Sequence, residues 1–476
     1  MRIPTVIRSF FVSTLVYLVV VQSVSGQDTF SDEVSQYISV ERGVVALENV
    51  TIIDGTGADA VSGLTIVLDG DKISAIGPAG SVQIPDGATR LDLSGHTVIP
   101  GMIGLHNHTY YSTSQRQIQL SYSAPMLYLA AGVTTIRTTG SYAPYAEINL
   151  KQAIDNGEIV GPKIFVTGPY ITGGSGMSTM TRLSDAEDAR RVVRYWAEEG
   201  VSWFKAYNAI TSDELRAAID EAHKHGVKVT GHLCSVSFTE AVEMGIDNLE
   251  HGFITNSDYD EEKQPDLCPS GMLERLLDVD IEGEAVQKTF KTMIDAGVGM
   301  TSTLAVFEMF IPNRPPLEQR VLDAMSPETQ QEYLKTRAQV SEANNQLWGQ
   351  LFAKSLAYER AFVDAGGLLA SGVDPTGYGG ALPGYGDQRN FELLLEGGFS
   401  VPESIQIVSA NGAVILGVDD QYGTIQEGKI ADLVVIHGDL VNDPASIRNV
   451  IHVFKDGVGF DSPAMIAALN GFVGIK

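Results

Sequence analysis

Two histidines one residue apart close an apolar run, Val98-Ile-Pro-Gly-Met-Ile-Gly-Leu-His-Asn-His108. On a β-strand the side chains at i and i+2 share a face, so His106 and His108 would project together, and two neutral imidazoles side by side begin a metal site. An isolated His-x-His pair is more often two ordinary polar residues at a strand terminus. Four further apolar runs, however, carry side chains of related chemistry: Lys205 in Trp203-Phe-Lys-Ala-Tyr207, His232 after Lys228-Val-Thr-Gly, His251 after Asn248-Leu-Glu, and Asp374 after Leu368-Leu-Ala-Ser-Gly-Val. Each has a bland reading. A strand lysine snorkels or pairs, a core histidine is simply hydrogen-bonded, and an aspartate before Pro375 caps a helix or turns a loop. Six such residues at successive strand ends are harder to dismiss, and together they describe a two-metal hydrolytic centre with the lysine as its odd member. An ammonium cannot ligate a cation, so Lys205 must lose its proton or become an anion. Carboxylation by CO₂ would give a carbamate, N6-carboxylysine, whose two oxygens can bridge two ions.

Around this set stand the residues that would meet a substrate. Tyr207, on the same strand face as Lys205, is placed to hydrogen-bond a carbonyl oxygen or a carboxylate, or else only packs. Tyr378, in Asp374-Pro-Thr-Gly-Tyr-Gly-Gly380, is read as lining the pocket. Arg137, with Arg182, Arg314 and Arg389, is a cation that could hold a substrate carboxylate. His223 and His225 also spell His-x-His, but at the end of a predicted helix, where i and i+2 diverge. His96, His437 and His452 fall in β text away from the candidate site, and Gly173-Gly-Ser-Gly176 lacks the Lys-Ser/Thr ending of a phosphate loop and reads as a loop after the third strand.

The elements that must position these residues alternate strand and helix. Apolar runs recur at residues 134–138, 163–167, 203–207, 228–232, 248–251, 299–303 and 368–374, which with the opening run makes eight. Capping signals such as Ser184-Asp-Ala-Glu and Ser212-Asp-Glu-Leu introduce the helices between them. The pattern predicts an α/β fold, a (β/α)₈ TIM-type barrel over residues 100–417, with a doubly wound open sheet as the other architecture. The barrel is preferred because polar residues end so many strands, and barrel sites collect at those C-terminal ends. Strand-and-turn text at residues 27–99 and again at 418–476 predicts a small β-sandwich domain built from both chain ends. Two connections, Thr255–Glu284 and Phe307–Ala365, are too long for plain loops and suit pocket walls or lids.

Composition narrows the partners. With 32 Lys+Arg against 59 Asp+Glu the formal charge is −27, which disfavours nucleic acid and anionic membrane surfaces. Arg2 and Arg8, the apolar run Phe10–Val21 and small residues to Gly26 read as a secretory signal peptide over residues 1–26, so the mature protein is expected to be exported, to the periplasm or outside the cell, without a stable membrane anchor. The only cysteines, Cys234 and Cys268, could pair in that compartment or remain buried thiols. Oligomeric state is not legible, and a homo-oligomer is compatible.

The residues that carry the site also carry a resemblance. Pro100-Gly-Met-Ile-Gly-Leu-His-Asn-His, Lys205, His232, His251 and Ser371-Gly-Val-Asp374, with Gly423-Thr-Ile-Gln-Glu-Gly-Lys-Ile-Ala-Asp-Leu-Val-Val435, resemble the amidohydrolase superfamily over nearly the whole mature chain. Within it the chain is most similar to the imidazolonepropionase-like and prolidase-like branch of metal-dependent dipeptidases, carboxypeptidases and ochratoxin-hydrolysing amidases. That resemblance implies two divalent ions, usually zinc. His106, His108 and Asp374 would hold the more buried ion, His232 and His251 the more exposed one, and carboxylated Lys205 would bridge them. Many relatives read Thr-Thr-Val-Arg-Asp after the second strand, whereas this chain has Thr138 at the last position. The expected activity is hydrolysis of a carbon–nitrogen amide bond in a dipeptide or N-acyl amino acid, with water activated between the ions and Asp374 as general base. Cyclic amides, lactones and phosphotriesters are the alternatives within the superfamily, and a non-catalytic binding protein or a one-metal deaminase the alternatives beyond that chemistry.

Overall fold

The computed structural model describes residues 30–113, 117–376 and 379–474; the expected signal peptide and Tyr378 lie outside the described residues. In chain order the strands are β1 (Ile38–Val40), β2 (Gly43–Ile52), β3 (Val61–Gly70), β4 (Lys72–Pro78), β5 (Thr89–Asp92), β6 (His96–Pro100), β7 (Met102–Asn107), β8 (Tyr110–Ser112), β9 (Gln117–Gln119), β10 (Val133–Thr138), β11 (Lys163–Phe165), β12 (Thr167–Thr172), β13 (Thr181–Arg182), β14 (Trp203–Ala206), β15 (Lys228–Gly231), β16 (Asn248–Glu250), β17 (Gly299–Ser302), β18 (Leu369–Ser371), β19 (Leu433–His437), β20 (Val450–Lys455) and β21 (Val458–Asp461).

Strands from both chain ends interleave in one sheet, in the order β1-β21-β20-β19-β6-β2-β3-β4, with β5 also on β2. Val45, Leu47, Ile66, Leu68, Val98, Leu433, Val435 and Phe454 fill the core on one face, while the alternate residues Ile99, Val434, Ile436 and Val453 join the main core on the other. The pairings give one connected sheet, where the sequence predicts the two facing sheets of a sandwich. The run Val98–His108 is likewise divided. Its first half, β6, belongs to this sheet, and Gly101 turns the chain into β7 of the second one. A Cβ on Gly101 would sit 2.1 Å from the Thr134 hydroxyl oxygen, so only glycine fits where the chain crosses between sheets.

The second sheet is parallel throughout, ordered β11-β10-β7-β18-β17-β16-β15-β14-β12-β13. β7, first in the chain, lies between the second strand and the last, an order a doubly wound sheet lacks and one compatible with a barrel. The ladder passes from β10 to β14 through two strand segments, and Ser141, just after β10, bridges β12 by donating its amide to the Gly168 carbonyl at 3.2 Å and accepting from the Tyr170 amide at 3.4 Å. β11 pairs with β10 and β12 with β14, and the two are consecutive in the chain, separated by Val166. Helices cover the outer face, and two of their caps fall one residue from the Ser184 and Ser212 signals: Asp185 caps Ala186–Glu198, and Thr211 with Glu214 forms a capping box on Ser212–Lys224. Alternation sorts each strand. On β14, Phe204 and Ala206 join the helix-facing core, while Trp203 and Lys205 point to the other side.

Both long insertions are built structures. The acidic one is tied down by a Cys234–Cys268 disulfide, two residues past His232, which resolves the open alternatives for the cysteines. The other begins with the short helix Leu304–Glu308 after β17 and continues through helices Gln319–Ala324, Pro327–Ala343 and Leu347–Asp364. Glu308 is fully buried and clamped by two arginines, Arg389 at 2.7 Å and Arg314 at 2.8 Å. Both guanidiniums also reach Glu396, so the residues read as possible carboxylate binders are committed to holding this helix. Arg389→Met leaves the buried Glu308 carboxylate short of one partner; a loss of about 3 kcal/mol is expected, measured by urea unfolding of the metal-free protein.

Candidate metal centre

At the C-terminal ends of the parallel strands the six expected ligands come together. His106, His251 and Asp374 offer ligand atoms within 4.8 Å of one another. Asp374 lies 3.3 Å from His108 Nε2, 3.6 Å from His106 Nε2 and 4.0 Å from His251 Nε2. Lys205 Nζ is 3.4 Å from His106 Nε2, and the His232 ring centroid is 4.5 Å from that of His251. All but His108 line one cavity of about 550 Å³.

The local backbone explains why His106 and His108 turn inward. Gly104 sits opposite Ile136, yet Asn107 sits opposite Thr138, so β7 holds one more residue than β10 across this interval. This bulge re-aims the strand after Leu105. Asn107 points away and donates to the Asp387 carboxylate at 3.0 Å. The Leu105 carbonyl at the bulge accepts from Arg137 Nε at 2.7 Å and from the Thr139 hydroxyl.

The donor chemistry fits a divalent cation. His106 donates Nδ1–H to Glu250 at 2.7 Å, and His251 Nδ1 bonds the Thr303 hydroxyl at 2.7 Å, so in both rings Nε2 is left facing the cluster. A carboxylate or hydroxyl behind the imidazole is the usual support of a ligating histidine. Burial holds His106 and His251 well below the ordinary imidazole range and pushes His232 down to about 3, so the rings are neutral, as ligands must be. Burial also pushes the Lys205 ammonium down to about 8, against the pull of Glu250 and Asp374. Burial alone would raise Asp374, but His106, His108 and Lys205 hold it well below the carboxylate range. His251 and Asp374 both adopt left-handed backbone, φ 66° and 47°, which costs a non-glycine residue about 1–3 kcal/mol. Strain of this kind persists only where the surroundings enforce it.

Glu250 is the residue that the sequence pattern does not single out. It is fully buried, and Arg137 Nη2 (2.5 Å), the Thr230 hydroxyl (2.5 Å) and the Asn248 amide (3.2 Å) all donate to its Oε1, while Oε2 serves His106. Burial would push this carboxyl up, but Arg137 and then Lys205 keep it ionised. The signal was a period of two in Asn248-Leu-Glu250, which puts an acid on the inner face of a strand.

Arg137 is corrected by the same bonds. It does not line the cavity. Its guanidinium is buried beneath the histidines, 4.4 Å from the Trp203 ring centroid, and engaged with Glu250 and Leu105. Arg182, Arg314 and Arg389 do not line the cavity either; among the described residues Lys205 is its one lysine or arginine. Tyr207 does line it, with its ring 4.5 Å from that of His232. Three further tyrosines, Tyr110, Tyr142 and Tyr170, form a wall beside it. The Tyr110 and Tyr170 hydroxyls are 2.5 Å apart, and Tyr170 Oη is 3.4 Å from His108 Nε2. Outside the site, His223 pairs with Asp247 at 3.0 Å, His225 lies 3.8 Å from Glu221, and His96 packs on His437 in the other sheet.

If Glu250 holds His106 in its ligating tautomer, Glu250→Gln should retain the fold by circular dichroism yet bind metal about 10–100-fold more weakly, read as ion retained per chain against a competing chelator. Unchanged affinity would remove that role.

Comparison with known proteins agrees with this geometry. No curated protein matches the chain. A family model described as the amidohydrolase family matches residues 97–312 and 363–459, the interval that contains every candidate ligand. Among solved structures, the chain is similar to a protein from Bifidobacterium longum assigned as a prolidase, at 26% identity and TM-score 0.66, covering 90% of this chain and 98% of that one. It shares its fold with a Xaa-Pro dipeptidase crystallised with methionine in its active site, at 22% identity and TM-score 0.65, covering 88% and 100%. A third similar fold is the ochratoxinase of A. niger, at 18% identity and TM-score 0.64, covering 89% and 96%. With the family model spanning well over half of its length, and with the ligand set assembled within that span, the chain belongs to the amidohydrolase family.

Proposed function

We propose that this amidohydrolase is a two-metal enzyme that cleaves the carbon–nitrogen bond of a small amide, a dipeptide or an N-acyl amino acid. One observation carries the reading: three imidazoles, a carboxylate and a buried lysine line the floor of one cavity, with a fourth imidazole, His108, 3.3 Å from Asp374, more donors than a single ion requires. His106, His108 and Asp374 would hold one ion, His232 and His251 the other, and Lys205, as the carbamate, both; zinc suits the imidazole-rich set. When bound, such ions lower the pKa of water and polarise a carbonyl. The chain's own residues do the rest. Asp374, ionised and in reach of three imidazoles, is placed to take the proton of the attacking water and return it to the departing nitrogen. Tyr207 lines the cavity and would offer its hydroxyl to the carbonyl oxygen, and the floor is buried enough to exclude bulk water.

The same proposal covers the architecture and the compartment. The ring of parallel strands is read as a (β/α)₈ barrel interrupted at Val166, over residues 100–417, with the remainder of the mature chain as a second domain. The Cys234–Cys268 pairing supports export to an oxidising compartment, for which a mature N-terminus at Gln27 is the check.

A second reading, a substrate without a free carboxylate, is favoured by the lack of any arginine among the described lining residues. Comparing N-acetyl-L-phenylalanine with its neutral amide separates the two.

Elemental analysis of the active protein should give two divalent ions per chain, and one ion at full activity overturns the two-metal model. Lys205→Ala should lose at least about 100-fold in kcat and regain part of it with added acetate or propionate, which replaces the missing anionic bridge. Full activity without such rescue removes the carbamate.

A further inference from the structure

The cavity has two unlike walls. Beside the tyrosines its lining includes Val306, Phe307 and Phe310, on the short helix after β17 and its continuation. The Phe307 ring centroid is 5.5 Å from that of His251. Behind it lies Trp348, the second residue of helix Leu347–Asp364, with its ring within 17° of parallel to Phe307 and its centroid 4.6 Å from that of Phe310. Trp348 thus lies nearly parallel to both phenylalanines, which are tilted 42° to each other, and the three rings, all within the long insertion, form a bent aromatic plate. The plate is held in place, because Glu308, next to Phe307, is the buried carboxylate clamped by Arg314 and Arg389.

We propose that this plate is a specificity subsite for an aromatic group carried by the substrate next to its scissile amide; the inference rests on the amide-hydrolase reading above. Three arguments support it. The first is reach: with Phe307 one ring-contact from His251, a substituent one or two bonds from the attacked carbon meets the plate. The second is charge, since the charged groups among the described lining residues, Lys205 and Asp374, lie on the floor. An ionised group against Phe307 would lose its hydration with no counter-ion, whereas a flat apolar group loses nothing. The third is geometry, because an aromatic ring gains offset or edge contacts on a fixed ring plate that an alkyl chain of equal area does not. A cavity of about 550 Å³ has room for such a group beside the amide.

The ring could belong to the acyl half or to the amine half of the substrate, and the test separates these sources. With metal-loaded enzyme, kcat/KM is measured for N-acetyl-L-alanine, N-phenylacetyl-L-alanine and N-acetyl-L-phenylalanine. At least one aromatic compound should exceed N-acetyl-L-alanine by about 10-fold or more, and that ratio should fall by about 10-fold in Phe307→Leu and in Phe310→Ala. Which compound is preferred identifies the half that carries the ring. Equal rates for all three, or a preference untouched by both variants, overturns the subsite. Hydrolysis of none would instead count against the amide reading, and a binding measurement then decides the subsite by itself. Phenylacetamide should bind the metal-loaded protein at least about 10-fold more tightly than acetamide by calorimetry, and should lose that advantage in both variants. Equal binding overturns it.

Discussion

A carboxylate with no access to water sits under the catalytic floor, and much of the structure is arranged to make it tolerable. Glu250 accepts from Arg137 on β10, Thr230 on β15, Asn248 on its own strand and His106 at the end of β7. A buried ion pair does not by itself add stability, because two desolvated charges must first recover what hydration gave them. What this one supplies is direction. Both oxygens of the carboxylate are engaged, so its orientation is determined, and through it the ring of His106 and the carbonyl of the bulge are determined too. Four strands separated by more than 140 residues of sequence are thereby referred to one point.

Above that point the structure is under local strain. Two of the converging residues, His251 and Asp374, hold left-handed backbone that their side chains would not choose. Their neighbours fix them there: Thr303 ties the ring of His251, and the Asp374 amide donates to the His106 carbonyl at 2.8 Å. A cluster of lone pairs in a low-dielectric floor, with two ionised carboxylates and one lysine, is the kind of site in which a bound cation relieves repulsion and closes the charge balance.

The donors themselves were legible because strand periodicity converts spacing into facing. His106 with His108, and Lys205 with Tyr207, are on common faces by that rule, and the order of strands follows from the alternation of apolar runs with capped helices. What escaped was whatever depends on two distant segments at once. The role of Arg137 required knowing that Glu250 lies opposite and Trp203 beneath it. The bulge after Leu105, which aims the histidine pair, leaves no mark in composition. Gly101 reads as a turn within one run, and only the approach of Thr134 shows that it is a crossing between two sheets. The tyrosine and phenylalanine walls are assembled from separate strands, loops and a helix, none of them distinctive alone. The small sheet reads as two because its strands come from two distant parts of the chain, although hydrogen bonding joins them into one.

That small sheet is stitched from the first and last parts of the chain, with β6 held between β2 and β19. For a polypeptide that emerges from its amino end, the first strands made therefore wait, one flank of β6 unpaired, until more than 330 further residues have appeared. Only then does β19 arrive to cover the edge. The joint between the sheets at Gly101 sits next to that late pairing, directly before β7, the strand that leads to His106 and His108. β19 is in this sense a clasp: the strand that leads into β7 is fastened by a segment made long after it.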